Sequence, residues 1–177
     1  LLVLALAISA CDKKDDAPSN DKGKDSTSAT KDGGSSSDAS EGKKLASEAG
    51  RFSVQFPGGF PDAKESSQNV STKIGDLTMY TYLTEMDSAA CMVAYSDYPD
   101  KAFEGADIDA LLDSARNGAL NNVKGTMESE EKIELNGHPG RSVIFTGNSG
   151  GTTIHGRFDY YLIKPRLYQV GFMSLSR

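Results

Sequence analysis

Cysteine and histidine are scarce in this chain, two of each among 177 residues, and their placement removes several classes of chemistry. Neither His138 nor His155 belongs to an HExxH or HxH pattern, and no CxxC occurs, so a metal site would have to recruit carboxylates from elsewhere. No Walker-type loop or GxGxxG is present. Gly147-Asn148-Ser149-Gly150-Gly151 reads as a hairpin turn; it lacks the lysine and the following helix that phosphate binding needs, and no nucleophile elbow is read there. A basic stripe is missing too. With 25 acidic and 19 basic side chains the net charge is −6, which repels phosphate backbones, so nucleic acid is not an expected partner. These absences point away from an enzyme, and no catalytic residue, metal or cofactor is assigned from the sequence.

Large apolar residues are also absent from a long stretch near the start, and what precedes that stretch stands out. Leu1 to Cys11 reads LLVLALAISAC, then turns abruptly polar at Asp12. Ten apolar residues rise only about 15 Å as a helix, half of a bilayer core of about 30 Å. The segment instead has the apolar core and small-residue end of an export signal. Ile8-Ser9-Ala10-Cys11 resembles the lipobox of bacterial lipoproteins, although Ile8 stands where leucine is usual. The resemblance implies that residues 1–10 are a signal peptide already under way at residue 1. It also implies that Cys11 carries the lipid and anchors the chain to a bilayer. At about 0.8 kcal/mol per buried CH₂, several acyl chains hold far more firmly than one. Asp12 resembles the inner-membrane retention signal of enteric bacteria, which tilts the expected location in the cell envelope toward that membrane.

Residues 11–45 form the expected linker. Beyond Cys11 they are mostly Asp, Lys, Ser, Gly, Ala and Thr, with Leu45 as the one large aliphatic. Such a segment buries too little apolar surface to offset its ordering entropy, so disorder is expected, with a root-mean-square span of about 30–35 Å. All seven tyrosines and seven phenylalanines lie from Phe52 onward, which places the globular domain at residues 46–177. Cys91 sits in Ala89-Ala90-Cys91-Met92-Val93, where a buried, inert thiol is expected. With Cys11 lipidated it has no disulfide partner in the chain.

Within the domain, residues 51–56 alternate as a strand before Pro57-Gly58-Gly59. Residues 68–74 and 76–84 suggest a hairpin around Gly75-Asp76, and residues 89–96 a central strand apolar on both faces. One helix is expected over 107–121, capped by Asp107, with Ile108, Leu111, Leu112, Ala115 and Ala119 as its apolar stripe. Strands follow at 126–135, 139–147, 152–163 and 167–174, the last two turned at Lys164-Pro165-Arg166. Successive hairpins with an inserted helix imply an α+β fold, a mainly antiparallel sheet with helical cover. Arg141 enters an otherwise apolar strand and is expected to meet a carboxylate within the sheet, with ligand contact as the alternative. Tyr80, Tyr82, Tyr160 and Tyr161 read as core and cross-strand pairs or, alternatively, as an aromatic surface for a partner.

The segments Phe52-Ser53-Val54-Gln55-Phe56-Pro57, Ala94-Tyr95-Ser96-Asp97-Tyr98-Pro99 and Leu135-Asn136-Gly137-His138-Pro139-Gly140-Arg141, with the closing hairpin from Arg157, resemble the PsbP-like family, named for an extrinsic protein of photosystem II. The resemblance implies an α/β/α sandwich over about residues 50–174. Members commonly add a helix after the last strand, whereas this chain stops at Ser174-Leu175-Ser176-Arg177. The expected function is a membrane-anchored, non-enzymatic binding or scaffolding module for an envelope protein; a carrier or sensor of a small ligand or metal is the alternative.

Overall fold

Alternation with period two governs nearly the whole folded part of the chain, and the computed structural model, which describes residues 42–72 and 75–175, is accordingly built of strands. Strands β1 (Lys44–Ser47) and β2 (Phe52–Gln55) form a two-stranded hairpin. Strands β3 (Lys64–Thr72), β4 (Gly75–Met86), β5 (Ala89–Asp97), β6 (Thr126–Leu135), β7 (His138–Ser149), β8 (Thr152–Ile163) and β9 (Arg166–Ser174) make one antiparallel sheet. Its order is β3-β4-β5-β9-β8-β7-β6. Two meanders therefore meet at the β5–β9 pairing, registered from Ala89↔Ser174 to Asp97↔Arg166. Helix α1 (Ile108–Asn122) carries the chain from the central strand to the far edge.

The helix forms where its stripe requires. Asp107 caps it by accepting from the Asp109 amide at 2.9 Å. Leu112, Ala115 and Ala119 are buried against Val143, Phe145, Phe158 and Tyr160 on one face of the sheet. Phe145 and Phe158 stack at 4.7 Å between ring centroids. The helix end is tied down by the Asn148 amide donating to the Val123 carbonyl at 2.8 Å. A Cβ at Gly147 would lie 2.7 Å from that carbonyl, so only glycine permits the approach. Gly150 and Gly151, at φ of 58° and 88°, turn β7 into β8 as the positive-φ pair that a tight hairpin demands.

The opposite face is covered differently, and this corrects the expected fold class. An α+β or α/β/α sandwich would place helices over the sheet, but among the described residues strand accounts for 61% and helix for 15%, with a single α-helix. The fold is β-rich. Its second cover is the β1–β2 hairpin, which packs Phe52, Val54 and Phe56 with Phe60 onto Cys91, Val93 and Val170. The physical reason lies in β1. Leu45 is the only large apolar side chain of β1, so a strand starting at Lys44 resembles the polar sequence before it. The β3–β4 hairpin closes on the pair Thr72↔Gly75, which sets Gly75 and Asp76 at the head of β4 rather than in its turn. Cys11 and the signal segment lie outside the described residues.

Leu112 is fully enclosed between helix and sheet, so Leu112→Ala is expected to lower the free energy of unfolding by about 2–5 kcal/mol. Urea denaturation followed by circular dichroism measures that difference.

Candidate functional site

The two covers are staggered. Helix α1 lies over β7 and β8 on one face, while the hairpin lies over β4, β5 and β9 on the other. On the hairpin side, no second layer of described residues lies over strands β8, β7 and β6. Their outward residues include Tyr161, Ile163 and Ile144, and the neighbouring β9 adds Phe172. Ile144 and Phe172 are 45% and 42% exposed, as is Leu135 at 43%. Large apolar side chains on a face of a small domain mark an interaction surface when they are contiguous rather than scattered.

Two cavities open along this face, and both use β2 as a wall. One of about 310 Å³ is lined by Phe52, Val54, Leu135, Tyr161, Ile163 and Tyr168, among others. The second, of about 240 Å³, is lined by Val54, Phe56, Pro57, Arg157, Asp159 and Phe172, among others. Val54 and Val170 belong to both, so the cavities are the two ends of one groove running beside β2. Next to Val170 the floor of the second cavity turns polar, at Arg157 and Asp159. Arg157 Nε donates to Asp159 at 2.8 Å, which holds the guanidinium firmly protonated.

The wall exists because the hairpin tip is clamped to the sheet. Arg166, buried at the start of β9, donates from Nε and Nη2 to both carboxylate oxygens of Asp97 at 2.6 and 2.7 Å. Its Nη1 donates to the Ala49 carbonyl in the tip at 2.7 Å. The guanidinium carbon lies 4.3 Å from the centroid of the Tyr95 ring. Tyr168 donates to the Gly50 carbonyl at 2.7 Å, and the Tyr82 hydroxyl meets Ser47 Oγ at 2.9 Å. Three side chains from β4 and β9 thus hold a four-residue tip.

The residues singled out from sequence scatter around this site. Arg141 is buried on the helix face, where Nη2 donates to Asp109 at 2.5 Å; Asp113 and Glu130 lie 3.9 and 3.7 Å from its Nε. Its chief carboxylate therefore comes from the helix rather than from the sheet. Arg116 donates to Glu130 at 2.6 Å and Lys132 to Asp109 at 2.8 Å, completing a knot that ties α1 to β6 and β7. The tyrosines divide by face. Tyr160 is fully buried beneath the helix side, Tyr82 is buried at the hairpin tip, and Tyr80 stacks on Tyr95 at 4.9 Å. Of these four, Tyr161 is the one that lines the groove, where it joins Tyr168. Burial pushes the Cys91 thiol up to about 11, so it is protonated at neutral pH.

His155 Nδ1 lies 3.4 Å from the Thr146 hydroxyl, and His138 stands at the start of β7. No group of three or more His, Cys, Asp or Glu among the described residues is placed to hold a metal ion. Residues 147–151 do spell Gly-x-Ser-x-Gly, but they pass from strand to strand, whereas a nucleophile elbow passes from strand to helix. Arg166 is the residue that sequence reading placed wrongly, in a turn beside Pro165. Its one signal is position, directly before the alternating Leu167-Tyr168-Gln169-Val170.

The Arg166 guanidinium holds the Asp97 carboxyl below its ordinary value of 3.8. A carboxyl depressed in the folded state adds stability that is complete above its unfolded pKa and disappears as pH falls through the folded one. The stability difference between the natural chain and Asp97→Asn is thus expected to be constant near neutrality. It should shrink progressively as pH falls below 3.8, in urea titrations run at successive pH values.

No family model matches the chain, and no curated protein matches it. Among solved structures, the chain is similar to the crystal structure of PA94, a Pseudomonas aeruginosa protein of unknown function. The identity is 8% and the TM-score 0.42, over 76% of this chain and 83% of that one.

Proposed function

We propose that this chain is a lipid-anchored protein of the bacterial envelope whose folded domain is a non-enzymatic module that binds or scaffolds another envelope protein. The half-covered sheet face carries the reading: an apolar groove with two cavities, walled by a clamped hairpin, is a place to hold a partner rather than to do chemistry. The groups that could act chemically stand apart from it or are already engaged. Cys91 lines one cavity but is protonated, Arg141 is bonded to carboxylates on the helix face, and neither histidine lines either cavity. Ile8-Ser9-Ala10-Cys11 supports attachment through an acylated Cys11, and the polar residues that follow supply reach from the bilayer. Asp12 favours the inner membrane.

Metabolic labelling with an alkyne fatty acid checks the anchor. Label is expected on the natural chain, recovered with membranes. Cys11→Ser should lose the label and move to the soluble fraction. Unlabelled natural chain would sink the anchored reading.

A second reading, carriage of a small apolar ligand, draws on a separate cavity of about 290 Å³ at the end of the sheet. Met86, Ala90, Ile154, Met173 and Leu175 line it. On that reading a saturating ligand raises the melting temperature by mass action. On the binding-module reading, a panel of free fatty acids and quinones leaves it unmoved.

A further inference from the structure

Among the described residues, strand β2 has one edge engaged by β1 and the other without a strand partner. The Phe56 amide donates to the Lys43 carbonyl at 2.9 Å, and the register pairs Val54 with Leu45 and Phe52 with Ser47. Antiparallel pairing alternates the direction of main-chain groups. Those of Phe52, Val54 and Phe56 therefore face β1, and those of Ser53 and Gln55 face the groove. Sheet edges are usually guarded by charge. Here β6 carries Glu131, Lys132 and Glu134, and β3 carries Lys64 and Glu65, whereas the β2 edge offers uncharged Ser53 and Gln55.

A free edge above an apolar floor is one strand short of a larger second sheet. We propose that an extended segment of another protein adds to β2 along this groove. Its inward side chains read large apolar, then Lys or Arg, then large apolar, at alternate positions. This rests on the binding-module reading and names what that module takes. Main-chain groups of Ser53 and Gln55 supply the ladder, and the two cavities take the two apolar side chains.

The charge at the centre selects the middle residue. Asp159 and Glu131 lie on one cross-strand row through Ser142, and Arg157 neutralises only one of the two carboxylates. That row, which meets the groove at Asp159 opposite Val170, keeps one net negative charge, in a chain of net charge −6. A second copy of the chain does not fit. The inner face of its own β2 is committed to its own sheet, so it would bring the polar Ser53 and Gln55 side chains to an apolar floor. Residues 12–41 do not fit either, since they contain no Leu, Ile, Val, Met or aromatic residue.

The probe is a fluorescein-labelled nine-residue peptide of Ser and Thr with Phe at its third and seventh positions and Lys at its fifth. It is titrated against the full chain carrying Cys11→Ser and read by fluorescence anisotropy. Saturable binding is expected, weakened at least tenfold by Ser53→Pro and by Phe172→Glu and unchanged by Ser53→Ala. Proline at Ser53 removes an amide that faces the groove and spares the β1 ladder. Glu in place of the peptide's Lys should weaken binding at least fivefold.

Should Ser53→Pro fail to fold, two N-methylated peptides carry the same test on the natural β2. Methylating one alternate set of amides is expected to abolish binding, and methylating the other to spare it. Absence of saturation at 1 mM peptide overturns the inference, as does binding indifferent to both methylation patterns. Dimerisation in sedimentation velocity that Ser53→Pro abolishes also overturns it, in favour of a second copy. Acyl labelling of Cys11 reads independently, so a labelled chain that ignores the peptide discards this inference and leaves the anchored module standing.

Discussion

The contact on which the architecture turns is the guanidinium of Arg166. It spends its donors on Asp97 across the β5–β9 junction and on the Ala49 carbonyl of the hairpin tip, with the Tyr95 ring beneath it. One side chain thus joins the meeting point of the two meanders to the cover laid over them. A two-stranded hairpin is marginal by itself, and β1 brings little apolar surface to the sheet. Charge-assisted hydrogen bonds to its tip, strengthened by burial, supply what its packing lacks. A lysine in that position would keep the charge but lose the fork that reaches a carboxylate and a carbonyl at once.

The two faces of the sheet are stabilised by different physics. Beneath the helix the core is fully buried and aromatic, centred on Phe145, Phe158 and Tyr160, and bordered by the knot of Arg116, Lys132 and Arg141 with three carboxylates. Beneath the hairpin the packing is thinner and leans on tyrosine hydroxyls and the Arg166 clamp. The helix-side core reaches across to Val70, Met79, Met92 and Ala94, so β5 is buried on both faces, while β6, β7 and β8 carry a second layer of described residues on the helix side only. The uncovered half on the hairpin side is where apolar side chains reach solvent, and it is there that specificity can be written.

Much of the architecture was legible in the residues. Alternation marks β4 with Leu77 and Met79 inward, the unbroken run Ala90–Ser96 marks a strand buried on both faces, and the stripe through Leu112 marks the helix. What stayed hidden has physical reasons. Strand β1 is too polar to separate from the residues before it, so the second cover was read as helix. Arg166 follows Pro165, where a basic residue ordinarily signals a solvated turn, and only the fold brings Asp97, 69 residues away, opposite it. Ile144 lies in the same apolar run as Val143 and Phe145, yet one is exposed and the others are enclosed. Which face of a strand gains a cover depends on where a distant hairpin lands, and no local pattern encodes that.

The route by which the chain enters the fold has a mechanical consequence. Gly42 arrives beside β2, where its carbonyl accepts from Gln55 Nε2 at 3.2 Å, and the chain then runs along β1 toward the clamped tip. Tension applied from the N-terminal side therefore enters the hairpin at the end remote from Arg166. The rungs between β1 and β2 meet that load one after another, as a zipper does, rather than all together. The contacts of Arg166, Tyr168 and Tyr82 come under strain last, so the seven-stranded sheet is insulated from a pull until its cover has been peeled back to the tip.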